Sequence, residues 1–137
     1  MSVLGLDPGT RKAGYALLAR DGRVIERGIE PLDGLSARLA TLLRRYPIET
    51  IAVGRGTNAA LVTGLLVSLG VAFELVDERE STLLARRLYY AENPARGLQR
   101  LLPLGLRYPP RPIDDYAAEI IARRCAALHG GETWESS

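Results

Sequence analysis

Residues 3–10 read VLGLDPGT, a short apolar segment that ends on an acid and a turn. Residues 15–18 read YALL, so a second apolar segment follows closely. The pattern predicts two β-strands joined by a hairpin, with Asp7 at the tip of a buried first strand. A carboxylate in that position is poorly solvated and needs a cation or hydrogen-bond donors. Gly9 and Gly14 would let backbone or a ligand phosphate come close to it.

Three interpretations of this segment stay open on the residues alone. An Asp-x-Gly hairpin after a strand supplies a metal-binding carboxylate in ribonuclease-H-like nucleases, and it binds phosphate in actin-like ATPases. A β-hairpin in which Asp7, Pro8 and Gly9 serve only the turn is the third. The ATPase interpretation requires two such domains, and 137 residues have the length of one.

The composition is that of an ordinary globular protein, with 47% hydrophobic and 25% charged residues. The sequence has no apolar run long enough to span a membrane and no basic stretch before its first apolar segment, so we expect neither a span nor a secretory signal. The single cysteine, Cys125, excludes an internal disulfide and fits a reducing cytosol, which predicts a cytoplasmic protein. The single histidine, His129, excludes a zinc site built on several histidines. We therefore expect any metal to be held by oxygen, which favours Mg²⁺ or Mn²⁺.

The distribution of charged residues along the chain says more about possible partners than the net charge does. The net charge of +2 says little about partners, but residues 94–113 contain four arginines and no acid. The guanidinium of arginine can bind a phosphate through two parallel hydrogen bonds, so this stretch could bind a nucleic-acid backbone. A solvated face is the alternative. The four arginines are Arg96, Arg100, Arg107 and Arg111.

The order of predicted elements is three strands followed by α-β-α-β-α. It predicts one α/β domain over residues 1–131, with a mixed five-stranded sheet and helices on both faces, and a disordered tail over 132–137. The same order is that of the ribonuclease H fold. Strands are predicted near 2–7, 13–19, 23–29, 50–54 and 71–77. Helices are predicted near 35–46, 58–69, 81–90, 98–104 and 114–128. Asn58 is a suitable N-cap for the second helix, and the prolines of residues 107–112 predict an extended loop.

Two further acidic sites follow predicted elements. Asp77 and Glu78 come at the end of the fifth strand, where Asp77 is also a suitable helix N-cap. Asp114 and Asp115 begin the last helix, where capping and the helix dipole also favour acids. Helical geometry, with the stripe below taken as buried, places Asp114 on the flank facing the sheet and Asp115 toward solvent. The stripe consists of Ile113, Tyr116, Ala117, Ile120, Ile121 and Leu128. We therefore expect Asp114 to join Asp7.

Three blocks of the chain together resemble the YqgF family. The blocks are the Asp7 hairpin, the VDER segment at 76–79 with Ser81, Thr82 and Ala85, and Ile113-Asp114 with Ala117 and Ala118. YqgF proteins are RuvC-like homologues of Holliday-junction resolvases that are assigned to pre-16S rRNA processing. The resemblance implies a ribonuclease-H-like fold, and it implies Asp7, Glu78 and Asp114 as catalytic, Mg²⁺- or Mn²⁺-binding acids. Asp77 and Asp115 are less favoured metal ligands.

The chain departs from the patterns of these families in three ways. In YqgF proteins the fourth strand usually ends in a Gly-x-Pro turn, whereas here it ends in Gly54-Arg55-Gly56. RuvC resolvases carry a glutamate at that strand's end, and this chain has none. They also carry an aspartate one turn before the Asp114 position, where this chain has Arg111. These departures put full RuvC-type junction resolution in question.

The predicted function is a metal-dependent nuclease on structured nucleic acid, which processes the 5′ end of precursor 16S rRNA and also cleaves branched DNA. A Holliday junction resolvase in DNA repair and recombination is one alternative, and a non-catalytic nucleic-acid-binding ribosome-assembly factor is another. The apolar segment 61–69 predicts a buried core helix, with a homodimer interface as the alternative. Predicted contacts to the nucleic acid are Lys12, Arg11, Arg79, Arg107 and Arg111.

Overall fold

The computed structural model describes residues 2–56, 58–77, 81–95, 97–106 and 109–130. The strands are β1 (Val3–Pro8), β2 (Lys12–Leu18), β3 (Val24–Pro31), β4 (Thr50–Gly54) and β5 (Glu74–Val76). The helices are α1 (Leu32–Arg45), α2 (Ala59–Ser68), α3 (Ser81–Glu92) and α4 (Asp114–Gly130), with short 3₁₀ helices at Gly97–Leu101 and Leu104–Leu106.

The five strands form one mixed sheet in the order β3-β2-β1-β4-β5. β2 is antiparallel to both β1 and β3, whereas β1, β4 and β5 run parallel. This confirms the predicted mixed five-stranded α/β fold. Parallel strands finish at the same side of a sheet, so β1, β4 and β5 end together near Asp7, Gly54 and Val76. We call this side the carboxyl edge.

The two faces of the sheet are covered by different helices, because successive residues of a strand point to opposite faces. Leu4 and Leu6 of β1 pack with buried leucines of α1 and with Val62 and Leu66 of α2. Val3 packs on the other side, with Ile121, Ala122, Cys125 and Ala126 of α4. Alternate residues of β1 therefore face α4, beginning with Val3.

Two glycines let α4 approach the sheet very closely. A Cβ on Gly5 would lie 2.8 Å from the Cβ of Ala122 and closer still to the carbonyl oxygen of Ala118. A Cβ on Gly14 would lie 2.8 Å from the amide nitrogen of Asp115 and would overlap the carbonyl oxygen of Asp114. Any larger side chain would displace the helix. Gly14 therefore serves the approach of backbone that the sequence suggested.

Helix α2 is less buried than the core helix predicted for segment 61–69. It buries only one stripe, through Val62 and Leu66. Leu61 and Val67 are 48% and 68% exposed, so α2 is not a fully buried core helix. The homodimer interface stays a prediction. Among the described helices, none is both long and apolar enough to cross a membrane.

Several boundaries were predicted imperfectly. β5 is three residues long, and residues 97–106 form two 3₁₀ helices in place of one helix. Asn58 precedes α2, but its side chain makes no capping hydrogen bond. It donates to the carbonyl oxygen of Gly9 at 2.7 Å instead, because the loop after β1 lies within its reach. The predicted tail 132–137 lies outside the described residues.

Candidate active site at the carboxyl edge

Asp7 is placed at the carboxyl edge by the alternation of β1. It follows Val3 and Gly5 at intervals of two, so it belongs to the face of the sheet that α4 covers. Its partner across the β1–β2 ladder is Gly14. The side chain is half-buried, so this carboxylate is only partly solvated.

Asp114 is the first residue of α4, and its backbone lies against Gly14. Since Gly14 pairs with Asp7, the backbones of the two aspartates lie on either side of Gly14. Lys12 Nζ lies 4.0 Å from Asp114 Oδ2, and both side chains remain partly exposed. Burial raises the pKa of Asp114, the nearby charge of Lys12 lowers it, and the charge of Asp115 raises it further. Partial burial thus disfavours the charged carboxylate unless a cation joins it.

The third acidic element reaches the same edge at the end of β5. Asp77 directly follows β5 and is exposed, and its carbonyl oxygen accepts a hydrogen bond from Arg124 Nη1 at 2.8 Å. That bond ties the exit of β5 to α4. Glu78 and Arg79 lie outside the described residues, so the meeting of Glu78 with Asp7 and Asp114 stays a prediction.

Cations surround this edge. Arg11 and Lys12 lie in the hairpin after Asp7, where Arg11 is exposed and Lys12 is half-buried. Arg55, which the sequence analysis did not select, follows β4 at the same edge and is also exposed. Its amide donates to the carbonyl oxygen of Val76 at 3.1 Å, which fixes its backbone beside the end of β5. The sequence could have indicated Arg55 as a residue of this edge, because it directly follows a short buried strand.

Asp115 was predicted to point to solvent, and this prediction is wrong. The residue is 5% exposed. Its Oδ2 lies 3.5 Å from Arg27 Nε, and Arg111 reaches its two oxygens at 3.2 and 3.3 Å. The helical phase was set on large apolar residues. The residues of α4 that meet the sheet are small, such as Ala118 and Ala122, and this rotates the true buried face toward Asp115.

The partners of Asp115 belong to a larger network that the sequence analysis missed. Glu119 is 1% exposed and receives Arg27 Nη1 at 2.6 Å and Arg123 at 2.9 Å. Arg27 also lies 3.9 Å from the ring centroid of Tyr116, a favourable cation–π distance. The sequence does contain a signal for this network, because Glu119 lies within an apolar part of α4 and Arg123 follows it at the spacing of a helical ion pair. We call Arg27, Arg111, Arg123, Asp115 and Glu119 the arginine network.

The guanidinium of Arg111 is therefore bound by groups of the protein itself, although the side chain is 44% exposed. Besides binding Asp115, its guanidinium carbon lies 5.6 Å from the ring centroid of Tyr89 and 5.5 Å from that of Tyr116. Its predicted contact with nucleic acid stays a prediction, and the structure gives it a second, internal role. Arg107 lies outside the described residues, as does Arg96.

Curated relatives of this chain are crossover junction endodeoxyribonucleases RuvC. The protein of Chloroflexus aggregans is 30% identical, and the match covers 93% of each chain. That of Chlorobaculum parvum is also 30% identical, over 83% of this chain and 75% of the relative. A relative from Anaeromyxobacter dehalogenans is 36% identical over 47% of this chain, and the chain spans 44% of that relative's length. No protein-family model matches.

Solved structures of RuvC share the fold of this chain. RuvC of Thermus thermophilus matches with a TM-score of 0.58 and 21% identity, covering 95% of this chain and 98% of that one. The same protein in complex with a Holliday junction substrate gives a TM-score of 0.55 and 21% identity, over 93% and 96% of the chains. The curated relatives are named endodeoxyribonucleases, which is the class of enzyme that the sequence analysis predicted. The chain therefore belongs to the RuvC family of nucleases.

Proposed function

We propose that this protein is a divalent-metal-dependent endonuclease that cuts branched DNA at the carboxyl edge of its sheet. The observation that carries the proposal is the meeting of three elements. Asp7 ends β1, Asp114 begins α4 against Gly14, and β5 ends at the same edge. Glu78 follows β5 by two residues in the sequence, and we propose it as the third acid.

The donor set fits Mg²⁺ or Mn²⁺, because carboxylate oxygens are the ligands these ions prefer. Asp7 and Asp114 would hold the metal, which when bound activates water and stabilises the leaving oxygen of a phosphodiester. The half-buried position of both side chains supports this role. Burial has already removed part of their hydration, so a cation replaces solvation they lack.

The side chains suited to hold the substrate are the cations of this edge. Arg11, Lys12 and Arg55 are positioned to contact phosphates on either side of Asp7, and Arg79 and Arg107 are proposed on their sequence positions. Phosphate contacts of this kind orient a strand without reading its sequence. Recognition would then depend on the shape of the branched substrate.

Branched DNA is the substrate we favour, because the relatives are named crossover junction endodeoxyribonucleases. The alternative is cleavage of precursor 16S rRNA, which the YqgF-like VDER segment at 76–79 supports. Arg111 bears on this choice, because it stands where the resemblance places an aspartate of RuvC resolvases, so fewer carboxylates are proposed for the site here than in those enzymes.

A cleavage assay tests the proposal. The full chain is incubated with a four-way DNA junction, a linear duplex of the same sequence and a precursor 16S rRNA fragment, each with Mg²⁺, Mn²⁺ or a chelator. We expect metal-dependent cutting of the junction that Asp7→Asn abolishes. Asp21→Asn is the matched control, because Asp21 lies in the β2–β3 turn at the opposite end of the sheet, where its side chain accepts the amide of Arg23.

Each other outcome has a definite meaning. Cutting of the rRNA fragment in preference to the junction would replace the DNA proposal with the rRNA one. Binding without cleavage under every metal condition would indicate a non-catalytic nucleic-acid-binding factor. Cleavage that survives Asp7→Asn would refute the placement of the site.

A further inference from the structure

A second group of metal-ligating side chains lies at the other end of α4. Glu74, Cys125 and His129 each offer one ligand atom, and these atoms all lie within 4.8 Å of one another. We propose that these three side chains form a site for Zn²⁺, separate from Asp7 and Asp114. Cys125 comes eleven positions after Asp114 on the helix, which corresponds to about 16 Å along the axis.

Secondary structure explains how the three residues meet. Cys125 and His129 are four positions apart on α4, so they lie on the same face one turn apart. Glu74 opens β5 two residues before Val76, which packs in the cluster that contains Cys125. Glu74 therefore belongs to the face of the sheet that α4 covers.

The carboxylate and the imidazole already converge, since His129 Nε2 and Glu74 Oε2 form an ion pair. Both side chains are 42% exposed, which leaves a path for an ion from solvent, whereas Cys125 is fully buried beneath them. Zinc bonds to sulfur and nitrogen of about 2.3 and 2.0 Å hold neighbouring ligands about 3.5 Å apart. Small side-chain rotations would bring the three atoms to that spacing.

The mixture of ligands selects the metal. A thiolate, an imidazole and a carboxylate suit Zn²⁺ or Co²⁺ and not Mg²⁺, which prefers oxygen alone. Three protein ligands leave the fourth tetrahedral position to water. The expectation from the sequence that any metal would be held only by oxygen does not apply at this end of the molecule.

Binding would release a proton and join two elements. Burial and the charge of Glu74 raise the pKa of Cys125 to about 11, so zinc must displace the thiol proton and its affinity should increase with pH. The bound ion would fasten β5, a three-residue strand at the edge of the sheet, to the last turns of α4. The competing explanation is a plain Glu74–His129 ion pair above a core thiol.

Cobalt titration distinguishes these explanations. The reduced, metal-stripped full chain is titrated with Co²⁺ while its near-ultraviolet spectrum is recorded. The chain has one cysteine, so a thiolate-to-cobalt charge-transfer band can arise only from Cys125, and an oxygen-only site gives no such band. We expect one band that saturates at one Co²⁺ per chain and disappears on addition of Zn²⁺.

Variants assign the remaining ligands. Glu74→Gln and His129→Ala should each weaken Co²⁺ binding about tenfold or more, and Cys125→Ala should remove the band. Glu30→Gln, in an acid of β3 that pairs with Arg38, is the matched control and should bind like the wild type. Both exposed ligands can be changed without opening the core, so the test does not depend on the folding of Cys125→Ala. A wild type without the band, or a band that neither Glu74→Gln nor His129→Ala weakens, would overturn the proposal.

Discussion

Asp114 and Asp115 are adjacent in sequence and begin the same helix, yet their surroundings are opposite. The Asp114 side chain is 32% exposed and has Lys12 at 4.0 Å, while burial raises its pKa. The Asp115 side chain is 7% exposed and has Arg27 and Arg111 within 3.5 Å. A partly desolvated acid with one distant cation is suited to take a metal, whereas an acid held by two arginines fixes a helix.

The same contrast separates the carboxyl edge from the arginine network. In the network, Glu119 receives two arginines, and the described residues leave no buried side-chain nitrogen or oxygen without a hydrogen-bond partner. Such a network is satisfied by the protein itself. At the carboxyl edge, Asp114 has Lys12 at 4.0 Å, and we propose that a divalent cation joins it to Asp7. Acidity alone therefore does not mark the site, because Asp115 is bound by two arginines within 3.5 Å and Asp114 is not.

Replacing Asp114 with asparagine should have the largest effect on function. We expect Asp114→Asn to lower metal-dependent cleavage by at least about a thousandfold, since several kcal/mol of charge stabilisation by the metal would be lost. The thermal midpoint should stay equal or increase, because a carboxylate that burial disfavours is removed. Initial cleavage rates and thermal melts measure both.

Asp115→Asn is the matched control for that experiment. It should lower the thermal midpoint, since it removes the carboxylate that Arg111 binds and one of the three that lie within 3.5 Å of Arg27, and it should retain cleavage below its melting temperature. The reverse result, with stability lost at Asp114 and cleavage lost at Asp115, would exchange the roles of the two residues.

Loss of a charge inside the arginine network should have the largest effect on stability. Glu119→Gln keeps the shape of the side chain but removes a buried counter-ion of Arg123 and one of the three carboxylates that lie near Arg27, at a cost of about 3 kcal/mol in the free energy of unfolding. Glu30→Gln, whose partner Arg38 is 39% exposed, should cost less than about 1 kcal/mol. Urea unfolding of both variants measures the difference. Equal losses would mean that the network contributes no more than a surface pair.

The sequence was sufficient for the features that depend on local pattern. The order of strands and helices, the position of Asp7 at a strand end and the role of Gly14 in close approach all follow from alternation and turn chemistry, and the structure bears them out. The helical phase of α4 did not follow. Its sheet-facing residues are alanines that meet glycine, and small residues carry little weight in a pattern based on hydrophobicity.

Contacts between distant segments were also beyond the sequence. Arg27 and Glu119 are 92 residues apart, and nothing in either local pattern identifies the other as its partner. Glu74 meets Cys125 and His129 only because β5 lies beside the end of α4. Residues of this kind are brought together by the topology of the sheet, so only the assembled fold reveals them.

The substitution Gly14→Ala should lower both the stability of the fold and the rate of cleavage, by smaller amounts than the changes above. Its Cβ would overlap the carbonyl oxygen of Asp114, so the start of α4 must shift, at a cost of about 1–3 kcal/mol in the free energy of unfolding. Cleavage should decrease as well, because Asp114 would be displaced from Asp7. Gly64→Ala is the control, since a Cβ there meets nothing within 4 Å and helix propensity predicts a gain of about 0.5–1 kcal/mol. A Gly14→Ala variant with unchanged stability and cleavage would show that the close packing does not position Asp114.

The smallest expected effect is a pH dependence confined to Asp114. Burial raises its pKa above the ordinary value of 3.8, so the folded protein binds this proton more tightly than the unfolded chain does. The free energy of unfolding therefore decreases as pH rises from that value through the raised pKa, and the loss is complete above it. The Asp114→Asn variant has no titratable side chain at this position. With a chelator present to remove metal ions, the thermal midpoint of the variant should equal that of the wild type at about pH 3 and exceed it by a small margin at about pH 7. A margin that is constant across this range, or that grows toward acid, would show that burial does not disfavour the charge of Asp114, and the contrast with Asp115 would lose its electrostatic basis.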